Sequence, residues 1–141
     1  QIKHMVSMAS SGYELDEGKL IAGSTDKNVR IIDLNKEGKI VSHIYNEDGP
    51  INYLKMHNSS NFLVMADETN KIKLWDIRSS KIANTFEDQM GAKTCIDHFD
   101  NDTFITSSRG GQISLWDYRM TAKSLRSNII RDKETSEEID C

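Results

Sequence analysis

A seven-residue stretch, Ile72 to Arg78, reads Ile-Lys-Leu-Trp-Asp-Ile-Arg; it returns at Ile113 to Arg119 and, weakened, at Val29 to Asn35. Laid over one another without gaps, the copies form columns: Val29, Ile72 and Ile113; Arg30, Lys73 and Ser114; Ile31, Leu74 and Leu115; Ile32, Trp75 and Trp116; Asp33, Asp76 and Asp117; Leu34, Ile77 and Tyr118; Asn35, Arg78 and Arg119. The copies start 43 and then 41 residues apart. A period of that size marks one supersecondary unit used several times, each copy burying its apolar surface against the next. It constrains the architecture strongly and leaves the partner open.

Side chains alternate across a strand, so the first, third and fifth columns share one face and the second, fourth and sixth share the other. Apolar residues fill the first and third columns and also the fourth and sixth. Both faces are therefore mostly apolar near the strand's end, as in a sheet sandwiched between two neighbours. A short apolar run could equally be buried helix by periodicity alone, and the flanking turn residues favour the strand.

Turn signals divide the rest of the chain. The first cycle reads as strands over Ile2 to Ala9, Lys19 to Thr25, Val29 to Leu34 and Lys39 to Tyr45, with a polar loop from Ser10 to Gly18. The chain's one proline, Pro50, follows Asn46-Glu47-Asp48-Gly49 and closes that cycle. The second cycle gives Ile51 to His57, Phe62 to Ala66, Lys71 to Ile77 and Lys81 to Phe86. The third gives Lys93 to Phe99, Thr103 to Ser107, Gln112 to Tyr118 and a weaker strand about Ala122 to Ser127. The fold class is all-β, with three four-stranded antiparallel sheets. Expected boundaries are 1–46, 47–88 and 89–130, followed by a disordered tail or linker over 131–141, which has too little apolar surface to offset its ordering entropy.

No run approaches the ~18 apolar residues of a spanning helix, and the first residues lack a signal-peptide pattern. Cys95 and Cys141 lie in unrelated settings, so neither a disulfide framework nor a zinc site is expected. These features predict an intracellular protein, cytoplasmic or nuclear, with no membrane partner. Net charge is −4, but Arg131 to Cys141 holds five acids and two bases, leaving the body at −1. Without a basic stripe to neutralise phosphates, no nucleic-acid partner is expected.

Over most of Lys19 to Ser127 the chain resembles the WD-repeat β-propeller family. The matching elements are Ala22-Gly23-Ser24-Thr25-Asp26, Leu74-Trp75-Asp76, Thr106-Ser107-Ser108 and Leu115-Trp116-Asp117. The resemblance implies blades of four antiparallel strands around a channel, and three blades do not close a ring of four to eight. It therefore implies part of a larger propeller, working as a non-catalytic scaffold for protein-protein interaction in a multisubunit complex, with no cofactor. There are departures. No Gly-His precedes a blade, Glu47 standing in the second one's place; the turn aspartate survives only as Asp26, with Thr69 and Gly110 elsewhere; and Ile32 replaces a tryptophan. These losses predict that packing, rather than a buried His, Ser, Trp and Asp network, holds the sheets.

The most pointed constellation is the pair Trp75-Asp76-Ile77-Arg78 and Trp116-Asp117-Tyr118-Arg119. Residues two apart on a strand project from one face, so Asp76 can orient Arg78 and Asp117 can orient Arg119. The spacing resembles the paired motif by which WD-repeat substrate receptors attach to a cullin-type ubiquitin-ligase adaptor, implying that Arg78 and Arg119 contact that adaptor. The alternative is that each pair fixes the turn leaving its strand. Lys27, Asn70 and Arg109 lie in equivalent turns before the third strands and are expected to gather on the opposite rim as partner-binding residues. No catalytic residue or metal ligand is expected. His98 beside Asp97, Asp100 and Cys95 reads as a strand entering a polar turn, and His4, His43 and His57 as ordinary strand positions. Gly110-Gly111 reads as a tight hairpin rather than a phosphate loop. Two further readings, an enzyme with its active site outside these residues and a reader of nucleic acid or modified peptides, stay open at this level.

Overall fold

The computed structural model describes residues 2–7, 18–57, 61–87, 91, 93–120 and 125–129. Those residues form twelve strands: β1 (Ile2–Ser7), β2 (Lys19–Ser24), β3 (Asn28–Asp33), β4 (Lys39–Tyr45), β5 (Ile51–Met56), β6 (Phe62–Asp67), β7 (Lys71–Asp76), β8 (Lys81–Glu87), β9 (Lys93–His98), β10 (Thr103–Ser108), β11 (Gln112–Asp117) and β12 (Arg126–Ile129). They make three antiparallel sheets in sequence order, β1 to β4, β5 to β8 and β9 to β12. Each repeat copy is the third strand of its sheet. Strand ends differ from the sequence reading by a residue or so where they fall on described residues; Met8 and Ala9 of the first expected strand and Ala122 to Ser124 of the last lie outside those residues, and β12 overlaps the last expected strand at Arg126 and Ser127. The tail from 131 falls outside the described residues.

One element was not anticipated. Leu34–Lys36 forms a 3-10 turn that Asp33 caps by accepting from the Asn35 N–H, with Glu37 left-handed behind it. The sheets are meanders, so the β2–β3, β6–β7 and β10–β11 turns lie at one end, termed the turn end; the chain leaves β3, β7 and β11 at the other, the exit end.

Alternation decides which sheet each residue meets. On β7, Ile72 and Leu74 face the third sheet, packing with Val64, Ala66, Phe86, Ile96, Phe104 and Trp116. Trp75 and Ile77 face the first sheet, against Ile21, Val29, Ile31, Ile44 and the partner residues Leu63 and Met65. Two apolar seams thus join three sheets, and at about 25 cal/mol per Å² of apolar area such burial dominates their association. Gly23 lets β2 approach β5: a Cβ there would lie 2.6 Å from Ile51 Cγ2. The polar network thought lost survives in part, since Trp116 Nε1 donates to Thr106 Oγ1 at 2.9 Å inside the second seam. Packing is therefore supplemented there by hydrogen bonding. Cys95 on β9 takes part in a disulfide, contrary to the sequence reading; Cys141 lies outside the described residues.

Candidate functional site

At the turn end, each third strand is preceded by a left-handed residue: Lys27 (φ 66°), Asn70 (φ 69°) and Gly111 (φ 76°). Arg109, expected beside Lys27 and Asn70, falls two positions earlier in its turn and is exposed. Asparagine and glycine tolerate this conformation, whereas lysine is strained in it. Asp26 and Asp67 tie the first two turns by accepting the N–H two residues on, Asn28 at 3.0 Å and Thr69 at 2.8 Å. Asp26 also pairs with Arg30, whose guanidinium holds its carboxyl well below the usual range. Lys27 Nζ donates to the Glu47 carbonyl at 3.3 Å, turning inward to the inter-sheet connection.

A polar network missed by the sequence reading lies just beneath. Buried Lys73 faces the first sheet and donates to Asn46 Oδ1 and Asp48 Oδ2. Asp48 also accepts from Lys71, and these two ammonium groups, Lys71 first, keep its carboxyl charged well below its ordinary range. Asn46 Nδ2 donates to Asp67 at 3.0 Å and to the Gly49 carbonyl at 2.7 Å. A buried lysine without such partners would be costly. The network pins the loop 46–49 across the first seam. The only sequence signal was a lysine between two apolar residues of a buried strand.

At the exit end the aspartate column has one shared task. Asp33, Asp76 and Asp117 each accept the backbone N–H two residues on, from Asn35 at 3.0 Å, Arg78 at 3.0 Å and Arg119 at 2.9 Å. This side-chain turn ends each strand. Beyond it the two arginines differ. Asp117 also holds the Arg119 guanidinium through Nε at 3.0 Å and Nη2 at 2.9 Å, which lowers its carboxyl to about 2. Asp76 instead accepts from Ser79 Oγ at 2.8 Å, and that hydroxyl leads the causes of its lowered pKa. The expectation that Asp76 orients the Arg78 guanidinium is corrected: Ser79 competes for the carboxylate, while Arg119 is followed by Met120. Arg78 and Arg119 are both exposed.

His57 and His98, read from sequence as separate strand positions, meet across the second seam with Tyr118. His57 packs edge-on to His98 at 5.3 Å and to Tyr118 at 4.8 Å between ring centres. His98 Nε2 donates to the Met56 carbonyl, leaving Nδ1 to accept from the Tyr118 hydroxyl at 2.5 Å, an arrangement suited to neutral imidazole. Burial lowers the His98 pKa and raises that of Tyr118. Asp97 turns away to Lys55 at 3.0 Å. Among the described residues no three His, Cys, Asp or Glu side chains are grouped to hold a metal, and no helix is long and apolar enough to cross a membrane.

Comparison with known proteins adds four findings. A family model described as "Anaphase-promoting complex subunit 4 WD40 domain" matches residues 20–101, more than half of the chain. "WD repeat-containing protein 55 homolog" of Dictyostelium discoideum is 25% identical over 98% of this chain and 32% of its own length. "Autophagy-related protein 16" of Arabidopsis thaliana is 22% identical over 81% of this chain and 23% of its own length. "F-box/WD repeat-containing protein A-like protein" of Dictyostelium discoideum is 27% identical over 68% of this chain and 7% of its own length. The chain thus spans at most about a third of the relatives it matches.

Proposed function

We propose that this chain, which belongs to the WD-repeat family represented by the WD40-domain model it matches, is a non-catalytic protein-binding scaffold and supplies three blades, 1–46, 47–88 and 89–130, to a larger propeller. The observation that carries this reading is the division of labour along each repeat: apolar columns hold sheet to sheet, while the turns at the two ends leave charged side chains exposed, Arg109 at one and Arg78 and Arg119 at the other. Loops on a rigid scaffold are where binding concentrates. Lys27, Asn70 and Arg109 form one candidate contact set; Arg78 and Arg119, with Asp76 and Asp117 shaping their turns, form the other. A family named for a subunit of a complex favours a role inside a multisubunit assembly.

A second reading makes the exit end the attachment point of a ubiquitin-ligase adaptor. It is favoured by the paired Trp-Asp-x-Arg sequences and by a relative whose name joins an F-box to WD repeats. The asymmetry between clamped Arg119 and Arg78 makes the two arginines unequal in this role, Arg78 being the easier to redirect toward a partner carboxylate.

The test is quantitative co-purification from cells with the full-length protein, wild type beside Arg78→Ala/Arg119→Ala and Lys27→Ala/Asn70→Gly/Arg109→Ala variants. Loss of stable partners from at least one variant of unchanged unfolding midpoint supports the scaffold reading. Loss of a ligase adaptor with the first variant alone selects the second reading. An unchanged partner set with both variants removes these residues from the interface.

A further inference from the structure

The two seams are built from equivalent positions, and at the exit end they differ in chemistry. The register places His98 in the third sheet where Met56 stands in the second, and the repeat columns place Tyr118 where Ile77 stands. Met56 and Ile77 pack with the apolar residues of the first seam. Their counterparts in the second seam make directed bonds. His98 Nε2 donates across the seam to the Met56 carbonyl, and its Nδ1 accepts from the Tyr118 hydroxyl at 2.5 Å. Buried His57 crosses in the other direction, Nε2 donating to the Asn101 carbonyl at 3.0 Å. Tyr118 is fastened by its backbone as well, its N–H donating to the Asp102 carbonyl at 2.9 Å and its own carbonyl accepting from Asn84 Nδ2 at 3.4 Å. The next residue is Arg119, exposed in the turn that leaves β11.

One of these bonds depends on the charge of His98. Neutral imidazole has one N–H and one lone pair; with the N–H committed to Met56, the lone pair on Nδ1 is what Tyr118 donates to. A proton taken from solvent occupies that lone pair. The half-buried Tyr118 hydroxyl then loses its acceptor, and a half-buried cation stands with its ring centre 5.3 Å from that of His57. The other groups facing the cluster keep their charge. They are Lys55 and His57 from the second sheet, Asp97 from β9, Asp100 and Asp102 from the turn after it, and Asp117, Tyr118 and Arg119 at the end of β11. The Lys55 ammonium at Asp97, the Asp102 N–H at Asp100 and the Arg119 guanidinium at Asp117 each hold a carboxyl below its ordinary range, and burial raises the Tyr118 phenol. His57 donates to Asn101 with one ring proton or with two, so its bond does not switch.

We propose that His98, His57 and Tyr118 form a pH-sensitive latch on the second seam: neutral His98 fastens Tyr118 and with it the turn that carries Arg119, and protonated His98 releases that turn. The latch is closed at neutral pH, and because burial lowers the His98 pKa it opens only on acidification below about 6.5. Resting on the scaffold reading above for what the turn is for, it regulates one of the two exit-end arginines. Arg119 follows the latch, whereas Arg78 follows Ile77, which has nothing to titrate.

Limited digestion of the full-length protein with trypsin at pH of about 7.5 and about 5.5 tests this, with fragments quantified by mass spectrometry. The quantity read is cleavage after Arg119 relative to cleavage after Arg78 in the same sample, which cancels the pH dependence of the protease. Cleavage follows the open population of each turn, so acidification is expected to raise the ratio at least about threefold in the wild type. His98→Gln, whose amide keeps a donor and an acceptor and takes up no proton, is expected to hold the ratio at its neutral-pH value. Tyr118→Phe, which keeps the ring and removes the hydroxyl, is expected to give the raised ratio at both pH values, and it tests the latch independently if His98→Gln lowers the unfolding midpoint. A wild-type ratio that does not change, an equal rise at both arginines, or a rise as large in folded His98→Gln overturns the proposal. No partner is present in the digest, so failure of the latch leaves the scaffold reading standing. Co-purification indifferent to Arg119→Ala would remove the regulated contact while the digest still reads the latch.

Discussion

Aspartate 117 does two things with one carboxylate, ending its strand and clamping Arg119, while Asp76 does only the first. Sequence spacing gave both arginines one place after their strands and could not distinguish them, because the difference depends on a serine three residues after Asp76. The same limit hid the His57, His98 and Tyr118 cluster: its members are far apart in the chain and meet only once two sheets pack. Their titration gives a first prediction. Burial lowers the His98 pKa, with the Met56 carbonyl and Asp97 opposing the shift and His57 and Lys55 adding to it, so below about 6.5 the unfolded chain takes up a proton that the native state resists. Stability therefore falls as pH drops below about 6.5, and His98→Gln flattens that slope in thermal melts followed by circular dichroism. Asp117 acts in a lower window: its contribution is present above about 4 and is lost as pH falls toward its native value of about 2. Asp117→Asn removes that second loss; if melting profiles of wild type and variant coincide below pH of about 4, the clamp contributes nothing.

The seams are the elements that decide stability. Trp116 is enclosed and hydrogen-bonded, whereas Trp75 borders a cavity, although the two occupy the same column. Trp116→Ala is expected to cost about 3 to 5 kcal/mol in urea denaturation and Trp75→Ala clearly less; equal losses would mean that the seams are equally packed. Gly23→Val drives a side chain into Ile51 and Leu54, so a loss of about 1 to 3 kcal/mol is expected, measured the same way. Strand identity and facing were legible because the columns alternate cleanly, Ile72 and Leu74 to one neighbour, Trp75 and Ile77 to the other. The buried lysine network was not legible, since Lys73 gains its partners only from the loop 46–49 of the adjoining sheet. Nor was the 3-10 turn at Leu34–Lys36, which one aspartate cap and a left-handed glutamate define locally.

At the scale of the molecule, three sheets joined by two seams present turns at both ends and leave each end open to partners. The repeat period alone announced that architecture, because a unit that buries its faces on its neighbours must be repeated to be stable. Partner identity was not written in the period, since the period records what the copies share and their turns differ in charge. The central claim is that binding resides in those turns while the strands stay fixed. Hydrogen exchange of the full-length protein, alone and with a purified co-purifying partner, tests this most directly. The account predicts slowed exchange in the turns about 26–28, 68–71 and 109–112, or about 77–80 and 118–120, with the strands unchanged. Protection confined to the strands, or spread evenly over all three sheets, would contradict it.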